Sequence, residues 1–192
     1  MRDGGLLPLV PQRIGHFRLE SGHHADRWME LDALFAAPRT LAPFVRTLAA
    51  KIARYDAAIV CGPLTGGAFL AQMVAVELGV GFSFAQRRAS PDGRSVAYAI
   101  APALREAVRD KRVALVDDAI SAGSAVRATL ADLESCGATV VVIGALLLVG
   151  DRAQAFASDK HLPLEWLEQV GNPLWDPSEC PLCASGAPLT QI

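Results

Sequence analysis

The sequence lacks the features that mark membrane and secreted proteins. Its longest apolar run, residues 140–150, is well short of the roughly 20 residues that a membrane-spanning helix needs. Residues 1–13 have neither the long apolar core nor the small-residue cleavage site of a signal peptide. We therefore expect a cytoplasmic protein without a membrane partner, in which cysteines are reduced thiols.

An excess of charge of one sign is also missing. The chain has 18 lysine and arginine residues against 20 aspartate and glutamate residues, a net charge of −2 at pH 7. Proteins that bind nucleic acid through their overall field carry a basic patch or stripe, so this balance argues against nucleic acid as a partner. Any phosphate group must be bound by a local site rather than by the field of the whole protein.

Cysteine is scarce, but two of the four cysteines have the spacing of a metal-binding motif. Cys180 and Cys183 are separated by two residues, as in a zinc knuckle. A complete site needs four ligands, and no second pair stands out in the sequence. Two interpretations stay open: a zinc ion shared between two subunits, and a tight turn without metal.

The residues that are present predict an α/β domain. Hydrophobic residues make up 52% of the 192-residue chain and charged residues 20%, as is typical of a globular protein. Short apolar runs alternate with segments of about a dozen residues that have helical periodicity. This alternation predicts a mainly parallel central sheet flanked by helices. The predicted strands are residues 57–61, 112–117 and 139–149, and the predicted helices are residues 42–54, 67–78 and 124–137.

Outside this alternation, the pattern predicts an antiparallel hairpin and an edge strand. Residues 81–86 and 95–100 alternate in the manner of strands, and the Ser-Pro-Asp-Gly sequence at 90–93 is a strong turn signal. Residues 162–170 read as an edge strand, and the proline-rich tail that follows reads as irregular. The cationic residues at the tip of the hairpin are Arg87, Arg88 and Arg94.

Two adjacent carboxylates, Asp117 and Asp118, end a predicted buried strand. Ligands of parallel α/β sheets collect at the carboxyl ends of strands. The small and hydroxylated residues at 121–125 then open a helix, whose free N–H groups and positive dipole end bind anions. The carboxylates would repel phosphate but can accept hydrogen bonds from sugar hydroxyls. The combination points to a sugar phosphate, although a simple helix N-cap would account for one of the two acids.

Residues 113–125 resemble the phosphoribosyl pyrophosphate (PRPP) signature of type I phosphoribosyltransferases, in particular that of orotate phosphoribosyltransferases. Ser121 and Ser124 stand where one version of that signature has threonine, so a hydroxyl is kept at both positions. Residues 15–31 resemble the family's N-terminal segment, and residues 61–71 resemble its pyrophosphate-contacting loop. Residues 179–189 are similar to the tails of some bacterial members.

The resemblance implies the type I phosphoribosyltransferase fold for residues 1–192 as a single domain. The core would be about residues 40–150, the small hood would be residues 1–35 with the C-terminal tail, and the hairpin would be an arm. The implied reaction transfers ribose 5-phosphate from PRPP to orotate, giving orotidine 5′-monophosphate and pyrophosphate. Mg²⁺ would be bound to the pyrophosphate, with no metal ligand from protein side chains. The implied assembly is a homodimer whose arm covers the neighbouring site.

The resemblance also implies roles for individual residues. Asp117 and Asp118 would face the ribose hydroxyls and the positive charge that develops on the ring. Arg87 and Arg88 would neutralise the leaving pyrophosphate, although a solvated hairpin tip is an alternative interpretation. The implied PRPP-binding residues are Asp117, Asp118, Ala119, Ile120, Ser121, Ala122, Gly123, Ser124, Ala125, Thr65, Gly66 and Gly67. The implied orotate-binding residues are Ser121, Trp28 and Arg152.

Three positions depart from the family pattern. Residues 87–100 contain neither the lysine nor the histidine of the family's mobile loop, and Arg94 could supply charge there but could not exchange a proton as lysine can. Glu20 stands where relatives often have lysine, and its carboxylate would repel that of orotate. Position 149, where the family pattern places a base-binding arginine, holds Val149, and Arg152 follows three residues later.

These departures leave two alternatives open. One is a phosphoribosyltransferase for another base, and the other is a non-catalytic PRPP-sensing module. The absence of a basic patch and of an appended helix-turn-helix segment argues against a DNA-binding regulator. Trp28 could equally be a core residue rather than a base-stacking one. His23 and His24 follow a Ser-Gly turn, and in an extended segment their side chains face opposite directions.

Overall fold

The computed structural model describes residues 5–89 and 97–191, and within them nine strands and seven α-helices form two sheets and their flanking layers. The strands are β1 (Gln12–Arg18), β2 (His24–Met29), β3 (Ile59–Pro63), β4 (Gly81–Arg88), β5 (Ala97–Ile100), β6 (Arg112–Ile120), β7 (Thr139–Val149), β8 (Leu164–Val170) and β9 (Thr190–Gln191). The helices are α1 (Asp32–Phe35), α2 (Pro38–Ile52), α3 (Gly66–Leu78), α4 (Arg105–Val108), α5 (Ser124–Ser135), α6 (Arg152–Asp159) and α7 (Pro181–Ala184). Each helix in this part of the chain is too short or too polar to cross a membrane.

The larger sheet has six strands in the order β5-β4-β3-β6-β7-β8. All neighbouring strands run parallel except β4 and β5, which are antiparallel. Helices connect the parallel strands, as parallel pairing requires a crossover. The predicted α/β fold class, with a mainly parallel sheet flanked by helices, is confirmed.

The central strands are apolar along their length because helices cover both faces of the sheet. In β7, Val142 and Leu146 belong to the core cluster on the face that α2 and α3 cover. Ile143 and Ala145 belong to the cluster on the opposite face, which α5 and α6 cover. Successive side chains of one strand thus pack into the two cores on opposite faces of the sheet. The two cores together hold the sheet that carries the candidate functional residues.

The smaller sheet joins the two ends of the described chain. Its order is β2-β1-β9, with β1 and β2 antiparallel and β9 parallel to β1. Trp175 in the tail adds an isolated antiparallel bridge to His24 at the start of β2. The residues between β1 and β2 form a turn, which the hydrogen bond from Gly22 N to Leu19 O closes at 2.9 Å. We call β1, β2, β9 and this turn the hood.

Most element boundaries differ from the sequence prediction by a few residues. Three differences are larger or affect the site. Helix α2 begins at Pro38 rather than at residue 42, because a proline at the first helical position needs no hydrogen-bond partner for its nitrogen. Strand β6 continues to Ile120, so the two aspartates lie inside its last residues rather than after them. The tail, predicted to be irregular, contains α7 and β9. The predicted hairpin turn at 90–93 and Arg94 lie outside the described residues.

A buried carboxylate fastens the edge strand β8 to the end of α2. Glu165 is 7% exposed, and its Oε1 accepts hydrogen bonds from Tyr55 Oη at 2.7 Å and from Arg54 Nη2. Lys51 Nζ lies 3.6 Å from the other carboxylate oxygen. Burial alone would raise the pKa of Glu165, but the hydrogen bonds and the two positive charges outweigh it and leave the pKa below its usual range.

We predict that Tyr55→Phe lowers the free energy of unfolding by about 1.5–3 kcal/mol at neutral pH, because it removes a hydrogen bond to a charged group and keeps the ring. A lowered folded-state pKa stabilises the fold above the ordinary range of a carboxyl, and this contribution is lost as pH falls through the lowered pKa. Urea unfolding at neutral and acidic pH should therefore show a loss that shrinks in acid. An equal loss at both pH values would contradict a role for the charged Glu165.

Candidate active site

A cavity of about 360 Å³ opens at the carboxyl ends of β3 and β6. One wall is the turn from β3 into α3, and a second is the end of β6 with the turn into α5. The hood turn and β2 form the third wall. The cavity therefore lies where the sheet topology places ligands, between the helix N-termini that follow two adjacent parallel strands.

Asp117 and Asp118 form the floor of this cavity. Asp117 is 8% exposed, and its Oδ1 accepts a hydrogen bond from the backbone N–H of Asp118 at 3.1 Å. Asp118 Oδ1 accepts one from the N–H of Ala119 at 2.9 Å. Burial raises the pKa of Asp117 well above its usual range, and the neighbouring Asp118 carboxylate raises it further. Burial also raises the pKa of Asp118, against the opposing effect of the Ala119 N–H. Both shifts disfavour the charged carboxylates, so hydrogen-bond donors or a positive charge placed beside the pair would stabilise them.

The N-terminus of α3 packs directly against these carboxylates, and glycine is required there. A Cβ at Gly66 would overlap the carboxylate of Asp118. A Cβ at Gly67 would lie 2.5 Å from Oδ1 of Asp117. Thr65 and Gly66 line the cavity, as expected from their predicted role, while Gly67 lies behind them against Asp117. The close approach also brings the positive end of the α3 dipole next to the acidic pair.

The turn into α5 has the geometry of an anion site. Gly123 has φ 76°, a left-handed conformation that favours glycine, and it precedes the first residue of the 12-residue helix α5. Ser121 Oγ is buried and has no hydrogen-bond partner among the described residues. A buried, unpaired hydroxyl beside free helix N–H groups indicates a place for a phosphate or another polar ligand. The turn residues that line the cavity are Ser121, Ala122, Gly123, Ser124 and Ala125.

Not every residue of the predicted PRPP signature faces the cavity. Ala119 lines it, but Ile120 is 2% exposed and packs in the hydrophobic cluster beneath α5 and α6. The strand alternation explains the difference, since neighbouring side chains in β6 point to opposite faces of the sheet. The side chain of Ile120 thus positions the strand rather than contacting the cavity.

The hood wall brings an arginine that sequence reasoning misses. Arg27, next to Trp28 in β2, lines the cavity together with it. The Arg27 Nη1 donates to Gln12 Oε1 at 3.2 Å, whereas its Nε is buried without a hydrogen-bond partner in the part of the chain that the structure describes. Within those residues, Arg27 is the one lysine or arginine that lines the main cavity. In the sequence, only the position of Arg27 next to Trp28 could have indicated that Arg27 lines the cavity.

Glu20, in the hood turn, is held by partners from the large sheet. Its Oε1 accepts a hydrogen bond from Tyr98 Oη at 3.3 Å and lies 3.0 Å from Arg87 Nε. Arg87 is exposed and stands outside the lining of the main cavity. Arg88 is also exposed, and its Nη2 donates to Gln86 Oε1 at 2.9 Å. Neither arginine lines this cavity, although Arg87 neutralises Glu20 at its edge.

Arg152 lies in an adjoining cavity of about 430 Å³, which shares Glu20 and Ser124 with the main one. Arg152 Nη1 is 2.6 Å from Nε2 of His23. Burial lowers the pKa of His23, and the charge of Arg152 lowers it further. Both effects favour the neutral imidazole, whose Nε2 can accept a hydrogen bond from Arg152, while the Asp176 carboxylate acts in the opposite direction. Arg152 does not line the main cavity itself.

The three walls together suit a sugar that carries anionic groups at two ends. The turn into α5 offers N–H groups and hydroxyls, the N-terminus of α3 offers a second set of N–H groups, and the acidic pair lies between them. Hydroxyl groups in the middle of such a ligand would donate to Asp117 and Asp118. Trp28 and Arg27 complete the cavity on the hood side.

Comparison with known proteins agrees with this geometry. Residues 32–170 match the family model of the phosphoribosyl transferase domain. The chain is 32% identical over 174 residues to the orotate phosphoribosyltransferase of Thermotoga maritima, covering 91% of this chain and 87% of that protein. It is 30% identical over 177 residues to the orotate phosphoribosyltransferase of Caldanaerobacter subterraneus, covering 92% and 87%.

Solved structures show the same fold. The orotate phosphoribosyltransferase of Aeropyrum pernix superposes with a TM-score of 0.64 at 20% identity, covering 85% of this chain and 89% of that one. The adenine phosphoribosyltransferase of Rhodothermus marinus superposes with a TM-score of 0.66 at 17% identity, covering 86% and 96%. Because the family model covers most of the chain and the curated relatives are matched over nearly their full length, the chain belongs to the phosphoribosyltransferase family.

Proposed function

We propose that the protein transfers ribose 5-phosphate from PRPP to orotate, forming orotidine 5′-monophosphate and pyrophosphate for pyrimidine nucleotide synthesis. Membership of the family and the names of the curated relatives support this activity. The observation that carries the proposal is the buried acidic pair between two helix N-termini. That arrangement has a place for each anionic end of PRPP and for the ribose between them.

We infer one direction for PRPP in this arrangement. The N–H groups at 121–125 and the unpaired Ser121 hydroxyl would bind the 5′-phosphate. The N–H groups of Gly66 and Gly67, with Thr65, would approach the pyrophosphate, because nothing larger than hydrogen stands on those two α-carbons. Ala119, Ala122, Gly123 and Ala125 would leave room for the ligand rather than contact it with functional groups.

The chemistry requires stabilisation of positive charge on the ribose. The bond between C1 and the pyrophosphate oxygen breaks, its electron pair leaves with pyrophosphate, and a ring nitrogen of the base forms the new bond to C1. Asp117 and Asp118 would hold the ribose hydroxyls and place negative charge near the ring as the positive charge develops. Their desolvated position strengthens that interaction, since water competes less inside the cavity.

Mg²⁺ fits the same cavity because its lining is acidic. Glu30 and Asp32 line it in addition to the buried pair, and oxygen is the ligand that Mg²⁺ prefers. Asp32 and Asp118 would hold the ion through its coordinated waters, consistent with the expectation that most direct ligands come from the substrate. When bound, the ion neutralises charge on the leaving pyrophosphate. The protein's own part is to orient the ribose and to keep the acidic pair in place.

The base would lie between Trp28 and Arg27. Trp28 offers a ring face for stacking, and the unpaired Nε–H of Arg27 is a suitable donor to the orotate carboxylate. Glu20 is less repulsive than its charge suggests, because Arg87 and Tyr98 hold its carboxylate. Ser121 would contact the base or the 5′-phosphate, and Arg152 would reach the base only from the adjoining cavity.

A second candidate is a phosphoribosyltransferase for a base without a carboxylate. Glu20 on the cavity wall favours it, because a carboxylate there can accept hydrogen bonds from an amino group. Arg152 in the adjoining cavity also favours it, since that arginine does not complete the expected orotate site. The two candidates share the PRPP half of the cavity and differ only in the base.

We also propose a cytoplasmic homodimer of single-domain subunits over residues 1–192, with residues 1–35 and the tail as the hood. The exposure of Arg88 outside its own cavity supports a role for it at the neighbouring subunit's pyrophosphate, and Arg87 would exchange Glu20 for that phosphate to join it. Their planar guanidinium groups suit bidentate contact with phosphate oxygens. The arm would include residues 90–96, which lie outside the described structure.

The first test is a panel of bases incubated with the protein, PRPP and Mg²⁺, with pyrophosphate release as the readout. We expect turnover with orotate and formation of orotidine 5′-monophosphate. Turnover with adenine or another carboxylate-free base in place of orotate would favour the second candidate. Binding of PRPP without turnover of any base would contradict both and indicate a sensor.

The acidic pair can be tested separately from the base. The double variant Asp117→Asn, Asp118→Asn should lose at least about 100-fold in kcat, because the charge that faces the ribose in the transition state is removed. Circular dichroism should show an intact fold. Unchanged turnover would exclude these carboxylates from the reaction.

The same double variant should unfold at a higher temperature than the unmodified protein at neutral pH. A raised folded-state pKa means that the unmodified protein loses stability as pH rises from the ordinary range of a carboxyl through the raised value. The gain from Asn should therefore be present at neutral pH and disappear as pH falls towards that ordinary range. The unfolding temperature should be measured across this pH range. A gain in unfolding temperature that grows in acid would contradict the raised pKa values assigned to the pair.

Gly66→Ala tests the close packing at the N-terminus of α3. The new Cβ would displace the Asp118 carboxylate, and a misplacement of about 1 Å in an active site costs on the order of 100-fold in kcat/KM. Gly171→Ala is the matched control, since a Cβ at Gly171 meets nothing within 4 Å. Equal activities of the two variants would contradict the requirement for glycine at position 66.

A further inference from the structure

Four potential metal ligands meet where the tail contacts the hood, outside the lining of the candidate active site. They are His16, His24, Cys180 and Cys183, and their ligand atoms all lie within 4.8 Å of one another. The histidines are each 4% exposed and Cys180 is 3% exposed, while Cys183 closes the cluster on the solvent side. The second pair of ligands that the spacing of the cysteines requires, and that the sequence does not reveal, is thus a pair of histidines on neighbouring strands.

Three of the six distances between ligand atoms match the edges of a tetrahedral site. A zinc ion with Zn–S of about 2.3 Å and Zn–N of about 2.0–2.1 Å sets its ligand atoms about 3.3–3.8 Å apart. His16 Nε2 lies 3.4 Å from Cys180 Sγ and 3.7 Å from Cys183 Sγ. His24 Nδ1 lies 3.3 Å from Cys183 Sγ and 2.9 Å from His16 Nε2. The two remaining pairs, Cys180 with His24 and Cys180 with Cys183, lie within 4.8 Å, so small shifts of Cys180 and of the two imidazole nitrogens would admit an ion.

A β-bulge turns His16 into the cluster. The register of β1 against β2 shifts between Ile14 and Phe17, and His16 and Phe17 are both buried although they are consecutive. Such neighbours would face opposite sides of a regular strand, and a bulge is the usual device for re-aiming a side chain. The regular pairing of β1 with β2 is therefore interrupted at His16, and the interruption allows its side chain to join the cluster.

The surroundings also orient the ligands. His16 Nδ1 is 2.9 Å from the carbonyl oxygen of Ala187, to which it donates when Nε2 carries the free electron pair. His24 is fixed by two backbone hydrogen bonds with Trp175, at 2.8 and 2.9 Å. Without a metal, a proton on His16 Nε2 or on His24 Nδ1 could be donated to only one of the neighbouring ligand atoms. A cation at the centre would instead accept an electron pair from each of the four ligand atoms.

We propose that His16, His24, Cys180 and Cys183 bind one structural zinc ion within each subunit. Two thiolates and two imidazoles in tetrahedral proximity select zinc over magnesium or calcium, which prefer oxygen. Four protein ligands leave no position for water or substrate, so the site is closed and its role is structural. This assignment does not depend on which base the enzyme uses.

The proposed ion explains how the tail is held on the hood. Strand β9 has only two residues and pairs with β1 at only two positions, so backbone hydrogen bonds alone attach it weakly. Zinc would connect β1, β2 and the segment around α7 at one point, and its binding energy would add to folding. Because β1 and β2 flank the turn that carries Glu20 and Ser21, the ion would also fix the hood wall of the active site.

The direct test is the metal content of the whole protein, expressed with zinc supplied and purified without chelators. We expect about one zinc per chain by inductively coupled plasma mass spectrometry. Cys183→Ser and His16→Asn should lose that zinc. The matched controls Cys136→Ser and His161→Asn, which lie outside the cluster, should retain it.

A second measurement keeps the test valid if the variants fold poorly. The unmodified protein stripped of metal should bind Co²⁺ with the thiolate charge-transfer bands of a tetrahedral site, and zinc should displace the cobalt. Zinc should also raise the unfolding temperature of the stripped protein but not that of Cys183→Ser.

Three results would overturn the proposal. They are the absence of stoichiometric zinc in the unmodified protein, retention of zinc when both tail cysteines are replaced, and a disulfide between Cys180 and Cys183 in the purified chain.

Discussion

The packing of Asp117 and Asp118 against the N-terminus of α3 is the constraint on which the rest of the site depends. Two carboxylates in a desolvated position repel each other, and the structure tolerates them because two backbone N–H groups and a helix dipole face them. The same contact excludes every side chain larger than hydrogen at Gly66 and Gly67. A ligand that supplies hydroxyl donors, together with a divalent cation, would reduce this repulsion. Relief of the repulsion between the two carboxylates would then contribute to binding and catalysis.

The hood contributes what the core lacks. The core provides N–H groups and carboxylates for a sugar with anionic ends, but no cation for the base. Arg27 and Trp28 arrive on β2, and the hood turn carries Glu20 to the cavity rim, where Arg87 and Tyr98 bind it. The cluster of His16, His24, Cys180 and Cys183 lies at the end of the same strands that adjoins the hood turn. The base recognition that we propose would thus depend on a small sheet whose attachment we assign to zinc.

The sequence predicts the part of the site that is local along the chain. A buried strand, two acids, a small-residue turn and a helix are contiguous, so residues 113–125 suffice to predict the phosphate and ribose half of the cavity. The rest depends on contacts between distant residues. His16 and Cys180 meet across 164 positions, and a bulge that no pattern announces turns His16 inward. The pairing of Glu20 with Tyr98 spans 78 positions, so its effect on the charge of the cavity also needs the fold.

The most direct measurement is a crystal structure of the protein with Mg²⁺ and PRPP bound. The account predicts that the 5′-phosphate accepts hydrogen bonds from the N–H groups at 121–125 and from Ser121 Oγ. It also predicts that the ribose hydroxyls donate to Asp117 and Asp118 at about 2.5–3.0 Å, with the pyrophosphate next to Gly66. PRPP bound in the reverse direction, or with its ribose out of reach of both carboxylates, would contradict it.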